Sequence, residues 1–80
     1  MSEFGFEDLK RILVDRVGLD DIPDDPGVSF DDLGLDSLAF VEVQLAMEQE
    51  WDVVISDEEA HSIRTLADAT EFMNRKLAEA

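Results

Sequence analysis

The stretch GLDDIPDDPGVSFDDLGL, residues 18–35, limits what this chain can fold into more than any other part of it. It holds both prolines, three of the four glycines and six aspartates. Proline lacks an amide donor and fixes its own φ, and it also pushes the residue before it out of the helical region. The segment therefore resists helix and strand alike. Structureless loops of this length are uncommon in small domains, so it is expected to be an ordered loop, pinned by Ile22, Val28, Phe30 and Leu33. One element must precede it and the rest must follow.

The flanking segments carry helical periodicity. Before the loop, Phe6, Leu9, Ile12, Leu13 and Val17 share one helical face, and Gly18 is a helix stop. After it, a helix is predicted from Ser37 to Trp51 with Asp36 as N-cap. Ser56–Glu59, SDEE, has capping-box spacing and should open a short helix running to about Ile63. Thr65–Asp68, TLAD, is a weaker version of that signal. It precedes a last helix in which Leu66, Ala69, Phe72, Met73 and Leu77 share a face, with Arg75 and Lys76 where cations suit a helix C-terminus. WDVVIS has strand-like composition but no partner strand, and is read as loop. The expectation is an all-α fold: a small bundle of three main helices plus one short helix, with a long loop between the first and second. No repeat or linker divides it, so residues 1–80 read as one domain.

Composition narrows the function. Six basic residues against 21 acidic ones give a formal charge of −15. Such a field repels nucleic acid and anionic membranes and favours encounter with basic protein surfaces. The longest unbroken apolar run, Leu38–Val41, is far too short to span a bilayer. The N-terminal MSEFGFEDLK lacks the order of a secretory signal. The default location is the cytoplasm, and the chain is expected to be a monomer. With no cysteine, disulfides and thiolate–metal sites are excluded, and thiol chemistry would need a thiol brought from elsewhere. The loop aspartates Asp20, Asp21, Asp24, Asp25, Asp31 and Asp32 lack the order of a calcium loop, so no metal ligands are assigned.

The second helix has more apolar faces than packing requires. At about 100° per residue, Ala39, Phe40, Val43, Ala46, Met47 and Trp51 fall in one arc, the natural core side. Leu38, Val41 and Leu45 fall opposite, among Glu42, Gln44, Glu48 and Gln49. Exposed apolar residues ringed by acids suit a partner with an apolar socket and a basic rim. The alternative is that the long loop folds over part of this strip.

Ser37, in DDLGLDSLAF, has three possible roles. As a nucleophile it would need an oriented base. The only histidine, His61, reads as a surface residue, and no G-x-S-x-G elbow surrounds the serine, so no catalytic residue is assigned. As a helix cap it fits the local spacing. As a site of covalent modification, its hydroxyl would sit beside unpaired backbone N–H groups that favour an attached phosphate. Local physics leaves the last two open.

The residues LGLDSLAFVEV resemble the attachment motif of acyl carrier proteins, and the order of helices and loop is similar along almost the whole chain. The resemblance implies that Ser37 bears a covalent 4′-phosphopantetheine arm, transferred from coenzyme A by a phosphopantetheinyl transferase. The arm's thiol would then hold acyl or ketoacyl groups as thioesters. It implies partner enzymes with basic docking surfaces, namely ketosynthase, acyltransferase and tailoring enzymes. These would meet Asp36, Leu38, Val41, Glu42, Leu45, Glu48, Gln49 and Glu50. Phe40, Val43, Met47, Ala60, Ile63, Ala69 and Phe72 are the candidates for an acyl-chain cleft, or else simply core.

The family pattern is not matched everywhere. Ser56 stands where the family often has proline, Gln49 where glutamate is common, Arg64 where the residue is often uncharged, and Trp51 where phenylalanine is usual. The short approach to DSL and Ala39 after it resemble discrete carriers of polyketide synthesis. Residues 50–60 resemble fatty-acid carriers. An unmodified acidic adaptor that binds a basic protein is the alternative of another class.

Overall fold

The computed structural model describes residues 3–79; residues 1, 2 and 80, the ends of the predicted domain, lie outside the described part. The first helix, α1, runs from Phe6 to Ile12 and continues as a wider π-helical turn over Leu13–Val17. Gly18 ends it at φ 84°, ψ 25°. There the Leu19 N–H reaches back to the Leu13 carbonyl at 3.2 Å, a left-handed closure that favours glycine. The sequence predicts the stop but not the widening before it.

The other helices are α2 (Ser37–Trp51), α3 (Asp57–His61) and α4 (Leu66–Glu79). This is the predicted all-α arrangement of three main helices and one short one. Both predicted N-terminal boxes form. Ser56 Oγ accepts from the Glu59 N–H at 3.2 Å while Glu59 Oε1 accepts from the Ser56 N–H at 3.0 Å. Thr65 Oγ1 accepts from the Asp68 N–H at 3.0 Å, and Asp68 Oδ2 accepts from the N–H groups of Thr65 and Arg64 at 3.1 and 3.2 Å. Each box satisfies donors that a helix start leaves unpaired.

The core gathers Leu9, Ile12 and Leu13 of α1, Val43, Ala46 and Met47 of α2, and Leu66, Ala69, Phe72 and Met73 of α4. Phe4 belongs to it although it precedes α1. It is 1% exposed and meets Trp51 edge-on at 5.2 Å. Its backbone is held by Asn74, whose Oδ1 accepts from the Phe4 N–H at 2.8 Å and whose amide donates to the Phe4 carbonyl at 2.9 Å. No local pattern marks Phe4, because its burial depends on a partner 70 residues away.

The long loop is ordered, as expected, but it is held chiefly by its backbone. The Phe30 N–H donates to the Arg64 carbonyl, the Leu66 N–H to the Val28 carbonyl, and the Ala67 N–H to the Pro26 carbonyl, at 2.9, 3.0 and 2.7 Å. Ser29 and Thr65 form an isolated antiparallel bridge. Phe30 is buried and Ile22, Val28 and Leu33 are half-buried. Leu35, which the sequence did not single out, is 7% exposed. The basic residues tie elements together: Arg11 and Arg16 of the first helix pair with Glu50 of α2 at 3.7 and 3.5 Å, Lys76 of α4 pairs with Glu59 of α3 at 2.8 Å, and Lys10 pairs with Asp24 of the loop.

The Asp68 carboxyl is held below its ordinary value, first by the Thr65 N–H and then by the Arg64 N–H. Its contribution is therefore present above the ordinary aspartate value of 3.8 and is lost as pH falls through the lower value of the folded state. Asp68→Asn should be less stable than the unsubstituted protein at neutral pH, and the difference should shrink as pH falls below that value. Urea unfolding followed by circular dichroism across the acid range checks this.

Candidate functional site

Asp36 is the N-cap of α2, with extended backbone (φ −86°, ψ −178°) and Oδ1 accepting from the Ala39 N–H at 2.8 Å. That contact settles which residue caps the helix. Ser37 is the first helical residue, exposed, with its hydroxyl left out of the cap. The approach to it is a tight turn in which the Phe30 carbonyl accepts from the N–H groups of both Leu33 and Leu35 at 3.2 Å. Gly34 sits in this turn at φ 81°, and a Cβ there would meet nothing within 4 Å. Its role is to adopt the left-handed backbone, not to let the chain pass close to the serine.

A cleft of about 630 Å³ opens beside Ser37. Phe30, Leu35, Phe40, Val41, Ala60 and Ile63 supply its apolar lining, and Phe30 meets Phe40 edge-on at 5.2 Å. Its polar residues are Ser29, Asp31, Asp36, Gln44, Asp57, His61 and Arg64. Of the seven residues read from the sequence as candidates for an acyl cleft, Phe40, Ala60 and Ile63 line it. Val43, Met47 and Ala69 do not; all three are 0% exposed in the closed core. Phe72 borders a separate, smaller recess with Ser62 and Arg75. Periodicity finds the inner face of α2 but cannot say which inward residues meet a gap and which meet another helix.

His61 and Ser37 share this cleft, which their separation in sequence does not suggest. Among the described residues no hydrogen bond joins them and none orients the imidazole, so the arrangement lacks the linked base of a serine nucleophile. Nor do the described residues bring three carboxylate or imidazole groups together as a metal site.

On the outer side of α2, Leu38, Val41 and Leu45 are 74%, 43% and 40% exposed, and Asp36, Glu42 and Gln49 are exposed with them. The long loop does not cover this strip. Two acids read from the sequence as docking residues have internal partners instead. Glu48 Oε2 accepts from the Ile55 N–H at 2.8 Å, beside the Gln44 amide, which donates to the Ile55 carbonyl at 3.2 Å. Glu50 is taken by Arg11 and Arg16. On α3, Glu59 is held below the ordinary carboxylate value, first by Lys76 and then by the Ser56 N–H, which fixes α3 against α4 at the edge of the cleft.

The start of α2 thus combines an exposed serine, a cleft beside it and an uncovered apolar strip next to it. Residues 7–73 match the family described as "Phosphopantetheine attachment site". An acyl carrier protein of Solidesulfovibrio magneticus is 45% identical over 74 residues, covering 91% of this chain and 95% of that one. The acyl carrier protein of Thermotoga maritima superposes with a TM-score of 0.84 at 29% identity, over 91% of this chain and 86% of that one. Hexanoyl acyl carrier protein from the actinorhodin polyketide synthase of Streptomyces coelicolor gives a TM-score of 0.86 at 32% identity, over 99% and 96%. The chain belongs to the acyl carrier protein family. It carries phosphopantetheine and is a carrier, not a catalyst; its role implies encounters with a phosphopantetheinyl transferase and with synthase enzymes. Among the described residues no helix is long and apolar enough to cross a membrane.

Replacing Asp36 by Ala should cost about 1 kcal/mol of stability, while Asp36→Asn should retain most of it. Equilibrium denaturation of the two variants tests whether the Asp36 cap holds the start of α2.

Proposed function

We propose that Ser37 is the residue that bears the 4′-phosphopantetheine arm, and that residues 1–80 act as a single carrier domain, monomeric and cytoplasmic. The observation that carries this is the division of labour at the start of α2. Asp36 makes the cap, and the exposed Ser37 beside it is free to be modified. The site fits the group: its phosphate would lie next to the α2 N-terminus, where negative charge is favoured, and the cleft lies alongside. When bound, the arm supplies a thiol that holds acyl groups as thioesters, which a chain with no cysteine cannot provide for itself.

Leu38, Val41 and Leu45, with Asp36, Glu42 and Gln49 around them, form the docking face for the transferase and for ketosynthase, acyltransferase and tailoring enzymes with basic surfaces. Glu48 and Glu50 contribute to this face only indirectly, since each is held by a partner within the protein. The pathway we favour is polyketide or related specialised biosynthesis. The short approach to DSL, Ala39 and the likeness to the actinorhodin carrier support it. Residues 50–60, similar to fatty-acid carriers, support fatty acid synthesis as the second reading.

Co-expression with a broad-specificity phosphopantetheinyl transferase should add one phosphopantetheine to the intact mass, and Ser37→Ala should abolish the gain. No gain under conditions that modify a control carrier would favour an unmodified acidic adaptor. Glu42→Lys should leave the helical content unchanged and slow transfer to a partner synthase by about tenfold at low ionic strength. The defect should shrink as salt is added, and transfer rates measured across a salt series report it.

A further inference from the structure

Three features of the cleft beside Ser37 bear on what it admits. The interior behind it is closed, because Val43, Met47, Ala69 and Met73 are all 0% exposed. A chain cannot enter the bundle without opening the core, whereas the surface cleft of about 630 Å³ is of the size that takes small molecules.

The lining of the cleft is divided. Phe30, Leu35 and Phe40 supply apolar surface, and Gln44, His61 and Arg64 supply hydrogen-bonding groups. A bare alkyl chain laid there would cover those groups without pairing them, which is unfavourable. The Gln44 amide nitrogen already donates to the Ile55 carbonyl at 3.2 Å. Ser37 aside, the cleft's side-chain donors with no acceptor among the described residues are the second Gln44 N–H, the Ser29 hydroxyl, an imidazole N–H of His61 and the Arg64 guanidinium, the one charged donor in the set.

Arg64 is also set apart from most of the other cations. Lys10, Arg11, Arg16 and Lys76 each pair with a carboxylate, and Arg75 lies on the separate small recess. Among the described residues no ion pair engages Arg64, in a chain with 21 acidic residues and six basic ones. Its backbone is fixed, with its N–H donating to Asp68 at 3.2 Å and its carbonyl accepting from Phe30 at 2.9 Å. The backbone thus holds Arg64 at the cleft; no hydrogen bond or ion pair among the described residues engages its guanidinium, whose charge also acts on the neighbouring Asp68 carboxyl.

We propose that Arg64, with His61, makes this cleft selective for neutral acyl cargo bearing carbonyl or hydroxyl oxygens, in preference to bare alkyl chains. The inference rests on Ser37 being the tether. Arg64 and His61 donate to the cargo oxygens, and the aromatic and aliphatic lining packs against the carbons between them. Cargo ending in a carboxylate is disfavoured, because Asp31, Asp36 and Asp57 at the same cleft outnumber the one guanidinium.

The test loads Ser37 with hydrolysis-resistant arms: the bare arm, an octyl chain, and an octyl chain with β- and δ-keto groups. Intact mass confirms loading, and backbone amide chemical shifts report contact. The diketo chain should shift Ala60, His61 and Arg64 beyond the bare arm, and the octyl chain should not. Arg64→Ala should remove that shift and Arg64→Lys should restore part of it; the side chain is exposed, so both variants should fold. Equal shifts from octyl and diketo chains, or a diketo pattern unchanged in Arg64→Ala, overturns the proposal alone. Failure of Ser37 to load overturns both this proposal and the assignment of Ser37.

Discussion

The backbone pairing of the long loop with the α3–α4 connection is the contact on which the rest of the molecule depends. Residues 18–35 can bury little on their own and cannot form a helix, yet they carry the approach to Ser37. Three amide hydrogen bonds, from Phe30, Leu66 and Ala67 to the carbonyls of Arg64, Val28 and Pro26, hold them to the far end of the chain. Each such bond contributes only about 1 kcal/mol net, but leaving the groups unpaired in a buried setting would cost more. The pairing also brings Phe30 and Leu35 to one wall of the cleft and Ile63 and Arg64 to another. The cleft is thus built by joining two segments that the sequence keeps about 35 residues apart.

Helix α2 serves two surfaces, and its acids are divided between them. Val43, Ala46 and Met47 face the core, while Leu38, Val41 and Leu45 face out. Towards its C-terminus the carboxylates turn inward in function, Glu48 to the Ile55 amide and Glu50 to Arg11 and Arg16. Glu42 remains the uncommitted acid amid the apolar strip. An uncovered apolar strip at the Ser37 end of the helix and a structural anchor at the other end follow from this gradient.

Acidity in this protein is partly structural. Glu59 and Asp68 each receive backbone N–H groups at a helix start; Asp68 is held below its ordinary value first by these donors, and Glu59 first by Lys76 and then by its backbone donor. Four of the six cations are spent between elements, Arg11 and Arg16 joining the first helix to α2, Lys76 joining α4 to α3 and Lys10 reaching the loop. A chain of formal charge −15 can fold compactly because part of that charge is paired or hydrogen-bonded, while the remainder sets a negative field around the molecule.

The sequence by itself determined which segments are helical, where α2, α3 and α4 start, and the two faces of α2, because these depend on local periodicity and on side chains within four residues of the groups they satisfy. Asp36, Ser56 and Gly18 are such positions, and their roles are legible in the chain. The π-helical turn before Gly18 and the end of α3 at His61 rather than about Ile63 were not legible. Local spacing left Ser37 open between cap and modification site; the Asp36–Ala39 contact gives the cap to Asp36, and Ser37 as the attachment point is our proposal. Only the tertiary structure decided that Phe4 is core, that Val43, Met47 and Ala69 are sealed away from the cleft, and that Gln44, His61 and Arg64 border it. Each of those outcomes depends on which residues from distant segments come into contact, and a pattern read along one helix carries no information about what stands opposite.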